Sequence, residues 1–166
     1  QYIGRIMRDM DCGPIAAQLE TMHAPSHQQT ALFHRAERWR TEILADPGFG
    51  VHFTDHMVVA TWRQGSGWGE DAVVPYGPFQ LDPSTAVLHY AQEVFEGLKA
   101  YRHEDGSIHL FRPEANAHRF QTSAARMMLP QLPGEDFVRA VTELVKADAR
   151  WVPSSVGERS LYLRPF

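Results

Sequence analysis

Residues 98–111, with the sequence LKAYRHEDGSIHLF, decide the fold. Two short runs of alternating apolar residues flank the pair Asp105-Gly106, a pattern typical of an antiparallel β-hairpin with a two-residue turn. Pro113 follows at once, and a helix can begin there because the missing N–H of proline costs nothing in the first helical turn. A hairpin that leads directly into a helix predicts a domain of mixed strands and helices.

Two helices are predicted after the hairpin. The first runs from Pro113 to about Met128 and stops before Pro130. The second covers Gly134 to Arg150 and ends at Trp151-Val152-Pro153. Its apolar side chains recur on one face, as in a helix packed on a core: Phe137, Val138, Val141, Leu144, Val145 and Ala149. Residues 161–166, LYLRPF, then read as a strand.

Shorter elements are predicted upstream of the hairpin. Val51 to Arg63 is rich in Val, Phe, Thr and Trp and indicates a strand. Residues 64–69 form a hairpin-like loop, and Ala72 to Val74 resumes extended structure. Ser84 is a plausible helix cap before an apolar run that ends at Phe95.

The order of elements predicts an α+β domain with a mostly antiparallel sheet and helices packed on one side. The sequence has no Gly-rich dinucleotide loop and no regular βαβ alternation. Residues 1–46 lack clean strand alternation, and only Ala31 to Leu44 has helical spacing. We therefore predict an N-terminal extension of unknown role over 1–46 and the domain itself over 47–166.

Composition narrows the function. Of the 166 residues, 43% are hydrophobic and 22% are charged, so a packed core is expected. The net charge of -4 argues against nucleic acid and anionic membranes as partners. The single cysteine, Cys12, is compatible with a reducing compartment, and we expect a cytoplasmic protein. His23, His27 and His34 do not have metal-ligand spacing, so no metal site is expected.

Arg164 is the polar residue that plain packing explains least, because it lies between Leu163 and Pro165 in the terminal strand. Tyr162 is two residues away and therefore shares its face of the strand. A hydroxyl and a guanidinium on one face suit an anionic group, although a structural ion pair is an equal alternative. Arg119 lies within a predicted helix, where a solvated face is the ordinary explanation.

The chain from Phe49 to Phe166 resembles the branched-chain amino-acid aminotransferases of fold type IV. The resemblance is carried by FTDHM at 53–57, LHYA at 88–91, VFEGLKAYR at 94–102, LFRP at 110–113, WVP at 151–153 and LYLRP at 161–165. It implies the small N-terminal domain of a homodimeric enzyme. Such an enzyme uses pyridoxal 5'-phosphate to transfer amino groups between leucine, isoleucine or valine and 2-oxoglutarate.

The resemblance also implies roles for five residues. Arg119 corresponds to the arginine that binds the cofactor phosphate, and Phe95 to the aromatic residue that lines the substrate pocket. Tyr90 corresponds to a pocket tyrosine contributed across the dimer interface. Tyr162 and Arg164 match the pair that handles substrate carboxylates, with Arg164 on the distal carboxylate of glutamate.

The chain has two lysines, Lys99 and Lys146, and neither matches the Schiff-base lysine of this family. We expect that lysine in a second domain beyond Phe166, so no catalytic residue is assigned within this chain and the piece alone is expected to be inactive. Two alternatives stay open. One is another fold type IV enzyme, a D-amino-acid aminotransferase or an aminodeoxychorismate lyase; the other is a non-catalytic binding module built on the small domain.

Overall fold

A computed structural model of the protein describes residues 2–4, 27–156 and 159–166. Cys12 and His23, on which two sequence predictions rest, lie outside these ranges. The strands are β1 (Tyr2–Gly4), β2 (His56–Val59), β3 (Trp62–Arg63), β4 (Gly67–Trp68), β5 (Ala72–Pro75), β6 (Leu98–Arg102), β7 (Ile108–Leu110) and β8 (Leu161–Pro165). The helices are α1 (His27–Ala45), α2 (Ala86–Tyr90), α3 (Pro113–Arg126) and α4 (Gly134–Ala147), followed by a short 3-10 helix (Ala149–Trp151).

Six of these strands form one antiparallel sheet with the order β5-β2-β1-β8-β6-β7. Strands β3 and β4 form a separate two-stranded ribbon, which confirms the hairpin-like loop predicted around residues 64–69. The predicted α+β class with an antiparallel sheet is confirmed. The sheet brings β8, the last strand, directly beside β6, so residues far apart in sequence share one surface.

The deciding hairpin forms, but its turn differs from the prediction. Strands β6 and β7 pair with Arg102 opposite Ile108, so residues 103–107 form the loop and a two-residue turn was wrong. The His103 N–H donates to the Ser107 carbonyl at 2.8 Å, and the Asp105 carboxylate accepts the Ser107 N–H at 2.9 Å. These bonds hold the wider loop closed. Gly106, with φ of 85°, supplies the left-handed backbone that the loop needs.

One face of the sheet packs against the helices. The apolar face of α4 is buried, and the helix contacts β2, β5 and α3. In β8, Leu161, Leu163 and Pro165 are buried while Tyr162 and Arg164 are half-buried, so alternate side chains point to opposite faces. Burial of a side chain such as Leu161 stabilises the fold by about 1.5–3 kcal/mol. Both predicted long helices are confirmed, with earlier ends than expected.

Three local predictions were wrong. The strand predicted from Val51 begins only at His56, because the Asp55 carboxylate accepts the indole N–H of Trp151 at 2.7 Å and so ties this segment to the helical layer. Thr85, and not Ser84, directly precedes α2, and the Ser84 hydroxyl donates to the Asp82 carboxylate. The helix predicted to reach Arg150 ends at Ala147, and a 3-10 turn follows it.

Asp148 fills the junction between α4 and the 3-10 helix. Its side chain is fully buried, and its carboxylate accepts the His56 backbone N–H at 3.1 Å and contacts His56 Nδ1 at 2.7 Å. A buried carboxylate without such partners would strongly destabilise the fold. Asp148 therefore joins the end of the helical layer to the start of β2.

Replacing Asp148 tests this junction. We expect Asp148→Ala to lower the free energy of unfolding by about 1.5–3 kcal/mol, because the partly buried His56 N–H and imidazole lose their acceptor. Urea denaturation of the purified chain measures the change.

Lys146→Ala is the matched control, since Lys146 pairs with Glu143 on an exposed surface of the same helix. It should cost less than about 1 kcal/mol. Equal losses in the two variants would contradict the role assigned to Asp148.

Candidate active site

The face of the sheet opposite the helices carries polar and aromatic side chains. We call it the open face and define it by Lys99, Tyr101, Tyr162 and Arg164, which alternate with buried residues along β6 and β8. Lys99 lies directly opposite Tyr162 in the ladder. The sequence-based prediction that Tyr162 and Arg164 share a face is confirmed.

Tyr162 and Arg164 are in direct contact. Nη2 of Arg164 donates to the Tyr162 hydroxyl at 2.8 Å. Within the described part of the chain, no carboxylate forms an ion pair with Arg164. The structural ion pair that sequence reasoning had kept open is therefore not seen among these residues, and the guanidinium retains donors for another anion.

Phe95 completes this cluster. The guanidinium carbon of Arg164 lies 4.4 Å from the centre of the Phe95 ring, within cation–π distance. The Phe95 ring is still 61% exposed, and Phe49 packs its edge against Tyr162 at 5.4 Å. The structure thus brings three of the predicted site residues together, as a guanidinium flanked by aromatic surface.

Gly97 allows Tyr162 to occupy its position. A Cβ built on Gly97 would overlap the Tyr162 ring, with the ring carbon Cζ at 2.9 Å and the hydroxyl closer still. The Gly97 carbonyl accepts a bond from the Asn116 side chain at 3.2 Å. Close approach, rather than an unusual backbone angle, is the reason that glycine is needed here.

Arg119 pairs with Glu96, a residue to which sequence reasoning assigned no role. Nε and Nη2 of Arg119 each donate to the Glu96 carboxylate at 2.6 Å, which is a bidentate contact. Glu96 is only 5% exposed, whereas the Arg119 side chain is 66% exposed. The available signal was an acidic residue inside the apolar run of residues 94–98.

Two opposing effects act on the pKa of Glu96. Burial raises the pKa. Hydrogen bonds from Arg119 and from the Gly97 N–H, together with the charge of Arg119, lower it by a larger amount, so the net pKa is below its ordinary value of 4.5. The same pair raises the pKa of Arg119. Glu96 is therefore held as a carboxylate and Arg119 as a cation.

Tyr90 lies apart from the cluster. It ends α2, its side chain is 80% exposed, and its ring neighbour is His89 at 6.3 Å. Its role across a dimer interface stays a prediction.

Two kinds of site are absent among the residues that the structure describes. Among them, no group of three or more His, Cys, Asp or Glu side chains could hold a metal ion. No helix within the described ranges is both long and apolar enough to cross a membrane.

The open face therefore combines a guanidinium, a hydroxyl and apolar surface, and Arg119 on α3 carries a second guanidinium that is paired with Glu96. Such a combination suits a ligand with both anionic and apolar parts.

Several curated relatives are branched-chain-amino-acid aminotransferases. The chain is 59% identical over 127 residues to a probable enzyme of this name from Streptomyces coelicolor, covering 76% of this chain and 35% of the relative. It is 58% identical over 127 residues to one from Mycolicibacterium smegmatis, covering 76% and 34%. It is 50% identical over 119 residues to branched-chain-amino-acid transaminase 1 of Bacillus subtilis, covering 72% and 33%.

The chain is similar to branched-chain-amino-acid aminotransferases over about three quarters of its own length. It spans about a third of the length of the curated relatives it matches. A solved structure of such an enzyme from Thermobaculum terrenum, in its PLP-form, is similar with a TM-score of 0.45 at 17% identity, over 67% of this chain and 38% of that one.

A second match concerns the start of the chain. A family model described as "Dual-action ribosomal maturation protein DarP" matches residues 1–64. The match covers less than half of the chain, and residues 5–26 within it are outside the described ranges. A 127-residue match in a chain of 166 residues must begin well before residue 64, so the two similarities overlap.

Gly97 offers a direct test of the cluster geometry. We expect Gly97→Ala to lower the free energy of unfolding by about 1–3 kcal/mol, because the new methyl group forces the Tyr162 ring away. Thermal or urea unfolding measures the loss.

Gly77→Ala is the control, since a Cβ at Gly77 meets nothing within 4 Å and Gly77 is not among the glycines with positive φ. It should stay within about 1 kcal/mol of the parent. A Gly97→Ala protein as stable as Gly77→Ala would contradict the close approach.

The ion pair of Glu96 should appear in the pH dependence of stability. Because the folded-state pKa is lowered, ionised Glu96 stabilises the fold above its ordinary pKa of 4.5, and this contribution is lost as pH falls through the folded-state value. We expect the stability advantage of the parent over Glu96→Gln to shrink as the pH falls from about 6 to below 4.5. A constant difference in unfolding free energy over this range would refute the assignment.

Proposed function

We propose that this chain forms the small domain of a longer enzyme that transfers amino groups between branched-chain amino acids and 2-oxoglutarate. The observation that carries the proposal is Arg164, a guanidinium stacked on Phe95 and hydrogen-bonded to the Tyr162 hydroxyl without a described carboxylate partner. The substrates would be leucine, isoleucine and valine. The family names of its relatives support this reading.

The arrangement fits the double specificity that such a reaction requires. An aliphatic side chain can rest on the exposed Phe95 ring, where burial of apolar surface favours binding. The distal carboxylate of glutamate can instead accept hydrogen bonds from Arg164. One surface can therefore receive both kinds of side chain, because the cation lies over an aromatic ring that is still largely exposed.

Pyridoxal 5'-phosphate is the cofactor we infer, and when bound it supplies the electron sink for proton removal at the α-carbon of the amino acid. Arg119 would hold its phosphate. Glu96 occupies Nε and Nη2, and no residue of the described ranges accepts a hydrogen bond from Nη1, so the outer edge of this exposed guanidinium can meet a phosphate. The Schiff-base lysine would come from a second domain.

We infer a homodimer in the cytoplasm, with Tyr90 reaching the pocket of the partner subunit; the high exposure of the Tyr90 ring supports this role. Amino acids and 2-oxo acids are the proposed small-molecule partners, without nucleic acid or membrane.

The similarity of residues 1–64 to the DarP family model supports a separate origin for the N-terminal extension predicted over 1–46. Ile43 in the last turn of α1 is buried in the hydrophobic core. The Trp39 ring also contacts Trp151 at 5.8 Å. The end of α1 therefore packs with the aminotransferase domain, whatever the origin of the residues before it.

Arg164 tests the proposed function. In the full-length protein, Arg164→Met should lower kcat/KM for glutamate by roughly one to two powers of ten, the effect of losing one charged hydrogen-bonding group. Leucine has no distal charge, so its half-reaction should change much less. Single-turnover absorbance measurements of the cofactor with each amino acid separately give both values.

Arg126→Met is the control, as Arg126 lies at the end of α3 outside the cluster. It should leave both half-reactions unchanged. Equal losses for glutamate and leucine in Arg164→Met would indicate a structural role. An active protein in which Arg164→Met has no effect would show that this residue does not face the substrate, and an inactive full-length parent would favour a binding module.

A further inference from the structure

We propose that Glu96 is a positioning residue that holds Arg119 in the orientation needed to bind a phosphate monoester. The inference rests on the proposed function, in which Arg119 binds the cofactor phosphate. It adds a residue to which neither the resemblance nor the comparisons assign a role.

The two partners differ in how firmly they are held. Glu96 is buried, its N–H donates to the Pro165 carbonyl at 2.8 Å, and its own carboxylate accepts the Gly97 N–H at 2.7 Å. It is therefore anchored to β8 and to the start of β6. Arg119, by contrast, has a long and largely exposed side chain that loses considerable conformational freedom when it is ordered.

The geometry of the pair determines which donors remain. A guanidinium presents its five N–H groups in a fixed planar fork. Glu96 takes the edge formed by Nε and Nη2, so the edge formed by Nη1 and the second N–H of Nη2 is turned outward. An incoming phosphate would meet donors already fixed in direction, and the binding free energy lost to ordering a flexible side chain would be smaller.

Asn116 supports the same arrangement from the preceding turn of α3. Its side-chain amide donates to the Gly97 carbonyl at 3.2 Å, so positions 116 and 119 of one helix face both contact the segment 96–97. The helix is thereby fixed against this segment at two points. Glu96, the partner of Arg119, directly follows Phe95, which contacts Arg164.

An opposite role for Glu96 is also conceivable on electrostatic grounds, because a carboxylate near a phosphate repels it. In that case Glu96 would compete with the cofactor. Water screens this repulsion at the exposed outer edge of Arg119, whereas the gain in phosphate binding from an ordered Arg119 side chain is not screened. We therefore expect positioning to prevail, and the two roles predict changes of opposite sign in Glu96→Gln.

The test measures binding to the cofactor-free full-length protein, with pyridoxal 5'-phosphate and pyridoxal as probes. Pyridoxal lacks the phosphate, so the ratio of the two dissociation constants isolates the phosphate contribution from any general loosening of the site. Glu96→Asp keeps the charge but shortens the side chain, so the carboxylate moves away from Arg119. Glu96→Gln keeps the length but removes the charge. Fluorescence titration gives each Kd, and thermal unfolding reports on folding.

Both variants should weaken pyridoxal 5'-phosphate binding by roughly tenfold, the coupling typical of residues in one network, with little change for pyridoxal. In an Arg119→Ala background the effect of either Glu96 substitution on the ratio should disappear. Tighter binding of the phosphate probe by Glu96→Gln would overturn positioning in favour of competition. If Glu96→Asp does not fold, the sign of the change in Glu96→Gln alone decides.

The outcome separates this inference from the proposed function. If Arg119→Ala weakens phosphate binding and the Glu96 variants do not, the positioning role is wrong and the cofactor site stands. Equal losses for both probes would mean that Glu96 is only structural. If the parent does not bind pyridoxal 5'-phosphate, or if Arg119→Ala leaves the ratio unchanged, the assignment of the phosphate site fails together with the inference.

Discussion

The structure depends on the register of β8 between β1 and β6. Side chains alternate along a strand, so this register buries Leu161 and Leu163 against the helices and places Tyr162 and Arg164 on the open face. A slip by one residue would exchange the two sets and bury a guanidinium. The burial of apolar side chains in the core therefore also positions the polar groups of the candidate site.

The segment from Phe95 to Gly97 carries this constraint into the rest of the site. The hydrogen bond from the Glu96 N–H to Pro165 fixes the segment beside β8. Phe95 then lies against Arg164, the Glu96 carboxylate reaches α3, and Gly97 leaves room for the Tyr162 ring. Three neighbouring residues thus connect the open face with the helical layer, each through a different kind of contact.

Sequence patterns predicted the elements better than they predicted the contacts between them. The hairpin, both long helices and the terminal strand were found where their apolar spacing placed them. The turn at Asp105 was missed because side-chain hydrogen bonds to the backbone favour a wider loop. The buried pair of Asp148 and His56 was also missed, since its members are 92 residues apart and no local pattern connects them.

The sequence by itself determined the α+β class, the shared face of Tyr162 and Arg164, and the similarity to the aminotransferase family, because strand periodicity and motif order are local properties. Only the tertiary structure decided that Arg119 is paired with Glu96 while Arg164 stacks on Phe95. An arginine looks the same in a sequence whether its partner is water, a carboxylate or an aromatic ring. Which of these it meets depends on strand order and helix packing, which bring residues from distant parts of the chain together.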